Sequence, residues 1–233
     1  MKLNICISTQ KHNKIEDVIS GNSADIFVFP ELALTGQKDN YIGSEEIKSY
    51  QENVFLGAAV KEGNEIFNEY ILSSKGGEIY RYRKTHLGEK ESDYYVAGNS
   101  LSVMKANDVA FGIALCIESH IPEISKVLCE KGAEVLIFPF ATPRVCGSRK
   151  EIWNKYLPAR AYDNNAYVIA TNLYGGMMVI SPSGEVLIEN YADETITIEI
   201  DTEEVRKRRA KNKLNYNSRL KPEVLGKVKK YGF

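Results

Sequence analysis

The 233-residue sequence predicts a mixed α/β fold in which helices cover sheets that are not purely parallel. Three observations carry this expectation. The chain opens β-α-β, with apolar runs from Lys2 to Ser8 and from Ala24 to Phe29 around a short helical stretch, Ile15 to Ile19, that stops at Gly21. Two hairpins then break the alternation, one turning at Ser73-Ser-Lys-Gly-Gly77 and the other at Pro182-Ser-Gly184. Finally, 43% apolar residues in a chain of this length suffice for a substantial core, and no linker-like composition divides it.

The remaining elements follow in order. Pro30-Glu31 ends the second strand and sets a carboxylate at the sheet edge where open α/β sheets collect ligands, although a loop acid or a helix cap would look the same. Glu45 to Tyr50 reads as helical and Val54 to Val60 as a strand. Glu69 to Leu72 and Glu78 to Tyr82 are the arms of the first hairpin, and the second arm runs into Arg83-Lys84-Thr85-His86-Leu87. Gly88 to Gly98, polar and aromatic, reads as a loop at the rim of a site. Leu101 to Lys105 and Val109 to Leu115 are strands, and Pro122 to Lys131 is a helix with Gly132 as its stop. Val135 to Phe138 is a short buried strand, Pro139 to Gly147 a loop, Arg149 to Asn164 a helix interrupted by Pro158, and Tyr167 to Thr171 a strand. Met177 to Ser181 and Val186 to Glu189 flank the second turn, and Thr195 to Ile200 closes the set. Thr202 is placed to cap a last helix through Ala210. The two hairpins suggest a loose duplication.

Composition narrows the function classes. Cysteines at 6, 116, 129 and 146 show neither CxxC pairing nor disulfide density, the first residues form too short an apolar run for a signal peptide, and no stretch is long enough to cross a membrane. A cytoplasmic protein with reduced thiols is expected. The net charge of -1 argues against a general nucleic-acid binder, although Arg206 to Lys230 carries eleven bases and one acid, leaving 19 bases and 30 acids elsewhere. That basic helix and tail, residues 206–233, fits a solvated end or one lying on the acidic body of its own or a partner subunit; it lacks the aromatic interleaving of a nucleic-acid platform.

The stretch Phe111-Gly-Ile-Ala-Leu-Cys-Ile-Glu-Ser-His-Ile-Pro-Glu123 ends a strand at Cys116 and starts a helix near Pro122. Unpaired N–H groups at such a turn favour a thiolate or hold an oxyanion, yet a buried apolar cysteine has the same pattern. Two further signals precede it, Phe29-Pro-Glu-Leu32 and Tyr82-Arg-Lys-Thr-His-Leu87. Together the three resemble the nitrilase superfamily of carbon-nitrogen hydrolases in order and spacing. The resemblance continues through Pro158-Ala-Arg-Ala161, Asn172 and Ser181-Pro-Ser-Gly184, and so covers nearly the whole chain, 1–233, as one hydrolase domain.

The resemblance implies an α-β-β-α four-layer sandwich, stacking of subunits into homodimers or larger homo-oligomers, and a hydrolase of small non-peptide C–N bonds, an amidase releasing ammonia or an amine. By position, Glu31 matches the general base, Lys84 the electrostatic stabiliser, Cys116 the nucleophile and Glu91 the supporting glutamate. Ala97 stands where relatives carry Pro, Ile117 where many carry Tyr or Trp, and His120 where Arg is frequent, so Ile117 and His120 are expected to shape the pocket. Arg144 is a candidate for a substrate carboxylate or an ordinary loop arginine. No metal or organic cofactor is called for.

The chemistry suits these residue types. Acylation followed by deacylation replaces one hard step with two easier ones, and a thiol, only a few per cent ionised at neutral pH, needs a neighbouring base. A carbamoyl-compound hydrolase, a nitrilase, or a catalytically silent binding protein are the alternatives. A Cys116–His120 zinc site lacks further ligands, and a papain-like pair with His86 or His120 lacks the surrounding sequence. His86 and His120 are expected to make structural hydrogen bonds and His12 to be exposed. Glu118 and Glu123 read as acids at a helix N-terminus, and Trp153, Tyr156 and Arg160 as a packed helix face.

Overall fold

The computed structural model describes residues 1–36, 40–143 and 148–211. In chain order its elements are β1 (Lys2–Ser8), α1 (Ile15–Gly21), β2 (Ile26–Val28), β3 (Ile42–Gly43), β4 (Asn53–Glu62), β5 (Glu65–Ser73) and β6 (Ile79–Arg83). There follow β7 (Val103–Ala106), β8 (Val109–Ile113), α2 (Pro122–Glu130), β9 (Val135–Phe140), α3 (Arg149–Asn164) and β10 (Tyr167–Asn172). The last are β11 (Met177–Ile180), β12 (Val186–Asn190), β13 (Thr195–Asp201) and α4 (Thr202–Lys211).

One sheet has the order β13-β1-β2-β4-β5-β6, with β3 beside β4, and the other β7-β8-β9-β10-β11-β12. Read in those directions, both give the same series of neighbours: antiparallel, parallel, parallel, antiparallel, antiparallel. The duplication hinted at by two hairpins is thus a matching of whole sheets.

The two-residue period of the strands sorts the apolar side chains into three layers. Leu3, Ile5, Ile7, Phe55, Tyr70 and Tyr82 of the first sheet meet Phe111, Ile113, Val135, Ile137, Ile169 and Val179 of the second. Their neighbours on the opposite faces, Cys6, Phe27, Val54 and Ile71, pack with Ile15, Val18 and Ile19 of α1. Leu136, Phe138 and Val168 pack with Leu128 of α2 and Trp153, Leu157 and Ala161 of α3. The result is the four-layer α-β-β-α sandwich. Parallel strands fix the site's location, because β2, β8 and β9 all release the chain at the same edge.

Several local expectations change. Glu45 to Tyr50 is one 3-10 turn, Ser44–Glu46, followed by irregular chain; the Ser73 hydroxyl accepts the Tyr50 N–H at 2.7 Å, and Ile47 and Tyr50 pack on the α1 layer, so tertiary anchoring overrides helix propensity. Pro158 lies inside α3 without dividing it. Thr202 is the first residue of α4 rather than its cap; Asp201 Oδ1 accepts the Glu203 N–H at 3.0 Å, while the Thr202 hydroxyl reaches back to the Met1 carbonyl. Of the basic end, Arg206 pairs with Glu134 at 2.6 Å and Arg209 donates to the Ala133 carbonyl; residues 212–233 lie outside the described residues.

Candidate active site

Glu31, Lys84, Glu91 and Cys116 are 85 residues apart in sequence from first to last and meet at one end of the sandwich. Glu31 leaves β2 in a turn whose Leu32 has a left-handed backbone, φ 56°, and it is buried. Its turn sits directly against β4. A Cβ at Gly57 would lie 2.3 Å from the Leu32 nitrogen and 2.7 Å from the Glu31 Cα, so only glycine allows that approach. Lys84, also buried, follows β6, and its backbone N–H donates to the Asn68 carbonyl of β5 at 2.9 Å. Gly98 closes the 88–98 loop by donating to the Lys84 carbonyl at 2.8 Å, and a Cβ there would meet the Arg83 carbonyl oxygen at 2.5 Å.

The side chains form a closed set. Lys84 Nζ lies 2.9 Å from Glu31 Oε1 and 2.8 Å from Glu91 Oε1. Asn68 Nδ2 donates to the same two oxygens at 2.8 and 3.2 Å. The second oxygen of Glu31 accepts the Ala141 N–H from the opposite sheet at 2.8 Å, and the second oxygen of Glu91 accepts the Gly88 N–H at 2.6 Å. Every oxygen of the two carboxylates is therefore held.

Cys116 begins a 3-10 turn, Cys116–His120, with φ at 48°, a left-handed conformation that a cysteine keeps only when its surroundings impose it. Glu118 does this. It is fully buried, and its Oε2 accepts the Leu115 N–H at 2.8 Å while Oε1 accepts from the Tyr82 hydroxyl, the Thr85 N–H, the Thr85 hydroxyl and the His86 N–H at 2.7 to 3.0 Å. The expectation of an acid merely near a helix N-terminus is corrected: Glu118 ties the Lys84 segment of one sheet to the Cys116 turn of the other. Thr142, after β9, lies 3.4 Å from Cys116 Sγ through its hydroxyl, and its N–H donates to Asn172 Oδ1 at 2.9 Å.

Electrostatics couple these groups. Burial and the nearby Glu31 carboxylate push the Cys116 thiol up to about 12 against the opposing pull of Lys84. Glu31 is raised by burial, held back by Lys84 and raised again by Glu91. Burial opposes the Lys84 charge, but Glu31, Cys116 and Glu91 outweigh it and keep the ammonium firmly protonated. A protonated thiol beside a carboxylate and an ammonium can pass its proton to that carboxylate as it attacks an electrophile.

The group opens on a cavity of about 450 Å³ whose walls are largely apolar: Leu32, Ala59, Ile66, Tyr41, Tyr94, Tyr95, Ala141 and Pro143 surround Glu31, Glu91 and Cys116, with Asn40, Lys90 and Thr142 also lining it. Ile117 and His120 do not line it. Ile117 is 41% exposed on the outer side of the turn, and the His120 ring stacks on Tyr156 at 4.2 Å. His86 meets the Thr85 hydroxyl at 2.8 Å. Trp153 is buried, and Arg160 donates to the Ser119 and His120 carbonyls. Arg144 and Cys146 lie outside the described residues. Asn68 and Thr142 escaped sequence reading; the signal for the first was an amide in the middle of an otherwise apolar strand face. Among the described residues no cluster of three or more His, Cys, Asp or Glu is arranged to hold a metal ion, and no helix is long and apolar enough to cross a membrane.

Residues 8–210 match the family described as carbon-nitrogen hydrolase. The chain is 26% identical over 212 residues to an (R)-stereoselective amidase of a Pseudomonas species, covering 78% of this chain and 75% of that one. It is 33% identical over 148 residues to the deaminated glutathione amidase of Mus musculus, covering 54% of this chain and 45% of the mouse protein. The crystal structure of a carbon-nitrogen hydrolase from Helicobacter pylori G27 superposes with a TM-score of 0.83 over the full length of both chains at 16% identity, a likeness of fold.

Proposed function

Because this chain belongs to the carbon-nitrogen hydrolase family, an amidohydrolase, we propose that Cys116, Glu31, Lys84 and Glu91 form its catalytic group and cleave a small non-peptide amide through a thioester. Glu31 accepts the Cys116 proton as Sγ attacks the carbonyl carbon. The carbonyl electron pair moves to oxygen, where the Lys84 ammonium and the Ile117 backbone N–H at the head of the turn stabilise it; such donors are typically worth about 3 kcal/mol each. As the intermediate collapses, the C–N bond breaks, Glu31 gives its proton to the departing nitrogen, and ammonia or an amine leaves. Water, deprotonated by Glu31, then cleaves the thioester to the acid, and the thiol recovers its proton. Glu91 holds Lys84 beside Glu31.

The observation that carries this reading is the hydrogen-bonded set of Glu31, Lys84 and Glu91, with Glu31, Glu91 and Cys116 lining one largely apolar cavity and the buried Lys84 directly behind the two carboxylates. That lining suits an uncharged, apolar acyl group, with the scissile carbonyl at Cys116. The three described cysteines, 6, 116 and 129, are free thiols, in keeping with a cytoplasmic enzyme. Exposed Ile117 and Tyr162 leave apolar surface on the helical face beyond the second sheet, and we read this as the side through which a homo-oligomer pairs. The test is ammonia release from neutral amides together with mass spectrometry of the acylated protein. Turnover and an adduct on Cys116, both lost in Cys116→Ala and strongly reduced in Glu31→Gln and Lys84→Ala, are expected. Turnover that survives Cys116→Ala overturns the reading.

A further inference from the structure

We propose that Asn68 is a positioning residue that holds Glu31 ionised beside Glu91 on Lys84, and thereby sets the pH below which the centre stops working. The inference rests on the catalytic reading above and adds a residue that no motif pointed to. Asn68 is completely buried at the centre of β5, on the face turned to the other sheet. Its carbonyl receives the Lys84 N–H, and its side-chain amide and the Lys84 ammonium address the same two oxygens, Glu31 Oε1 and Glu91 Oε1. Two donors thus alternate with two acceptors around a small ring.

The charge count explains why an amide is needed there. One ammonium faces two carboxylates, and their repulsion favours a proton on one of them. A second cation would compete with Lys84, and a third carboxylate would worsen the repulsion. An amide contributes two N–H donors and no charge. Its orientation is also fixed: turned over, Oδ1 would point its lone pairs at both carboxylate oxygens. The cost is visible, since among the described residues Asn68 Oδ1 has no hydrogen-bond partner although it is buried.

The consequence for turnover follows from the Glu31 proton. When Glu31 holds the proton taken from Cys116, the bond from Asn68 loses its charge-assisted character, so Asn68 disfavours that state and promotes return of the proton to the leaving nitrogen. Among the described residues, the groups facing Glu31 are Lys84 from the end of β6, Glu91 from the 88–98 loop, and Cys116 from the turn after β8, with Lys90, Tyr41, Tyr94 and Tyr95 across the cavity; the strand end after β9 supplies the Ala141 N–H. None of them replaces the amide in Asn68→Ala.

The experiment records kcat/KM for ammonia release and the rate of Cys116 alkylation by iodoacetamide from pH 4 to 10 in the native protein, Asn68→Ala, Asn68→Ser and Asn68→Asp, with thermal unfolding of each. In Asn68→Ala the acid limb of both profiles moves up by about one pH unit. Asn68→Asp moves it further, and Asn68→Ser, which keeps one donor, moves it less. Uniform loss across the pH range with an unmoved limb, in any variant that still unfolds cooperatively, overturns the proposal. Alkylation keeps the two readings separable: if native protein releases no ammonia, the amidase reading fails, while the alkylation limb still decides the role of Asn68.

Discussion

Replacing Gly57 by Ala tests how tightly the backbone of β4 positions Glu31. The added methyl carbon would stand 2.3 Å from the Leu32 nitrogen, 2.7 Å from the Glu31 Cα and 2.8 Å from the Glu31 carbonyl carbon, all backbone atoms that no rotamer change can move. Ordinary contact begins near 3.5 Å, so the Glu31 turn must retreat by about 1 Å. That retreat stretches the bonds of 2.9 Å to Lys84 and 2.8 Å to Asn68 and Ala141 beyond useful length. A 1 Å displacement of a reacting group costs on the order of 100-fold in rate, and overpacking of this kind about 1–3 kcal/mol in stability. The assay compares kcat on a neutral amide with urea unfolding for Gly57→Ala and for Gly21→Ala, whose Cβ meets nothing within 4 Å. The reasoning is refuted if Gly57→Ala keeps kcat within twofold of native while remaining folded.

Three other outcomes are expected. Glu118→Ala leaves five donors without their acceptor, the Leu115 N–H and the Tyr82 hydroxyl buried and the other three partly buried, and should lose roughly 2–4 kcal/mol by urea unfolding; a loss under 1 kcal/mol would show that the sheets do not depend on it. Burial pushes both Cys116 and Cys129 up to about 12, so acidity alone does not separate them; with access from the cavity and Glu31 to take its proton, Cys116 should be alkylated faster than Cys129 by peptide mass spectrometry, and Glu31→Gln should narrow the difference. Because Glu31 sits above the ordinary carboxylate range and must be ionised to act, kcat/KM should rise with pH through a limb higher than that of a free glutamate and fall away as the medium is acidified through it; a limb at or below the free value contradicts the burial argument.

Strands and local motifs were legible in the sequence because they depend on alternation and on residues close in the chain. Lys2 to Ser8 and Arg149 to Asn164 have the boundaries their patterns imply, and the Glu31, Lys84 and Cys116 motifs lie together in the folded chain. What could not be read depends on partners from the other sheet. Glu118 has the local pattern of a dipole-facing acid, and only the folded chain brings Tyr82, Thr85 and His86 to it. Asn68 is invisible for a similar reason, since both its acceptors lie 23 or more residues away. Ile47 to Tyr50 lost its helix to a hydroxyl on β5. Ile117 and His120, expected at the pocket because of the family positions they match, turn outward because the 3-10 turn carries them away from the cavity.

The matching of the two sheets divides the reactive equipment. One sheet delivers Glu31, Asn68 and Lys84, and the other delivers Cys116 and the Ala141 N–H. Neither sheet alone holds both the proposed nucleophile and its proposed base, so a partly folded chain carries an ordinary thiol and an ordinary ion pair. Reactivity arrives only when the interior between the sheets closes, in the same cooperative event that makes the protein stable. On the proposed mechanism the fold thereby acts as its own safety catch, withholding a reactive sulfur until there is a pocket around it to choose what it meets.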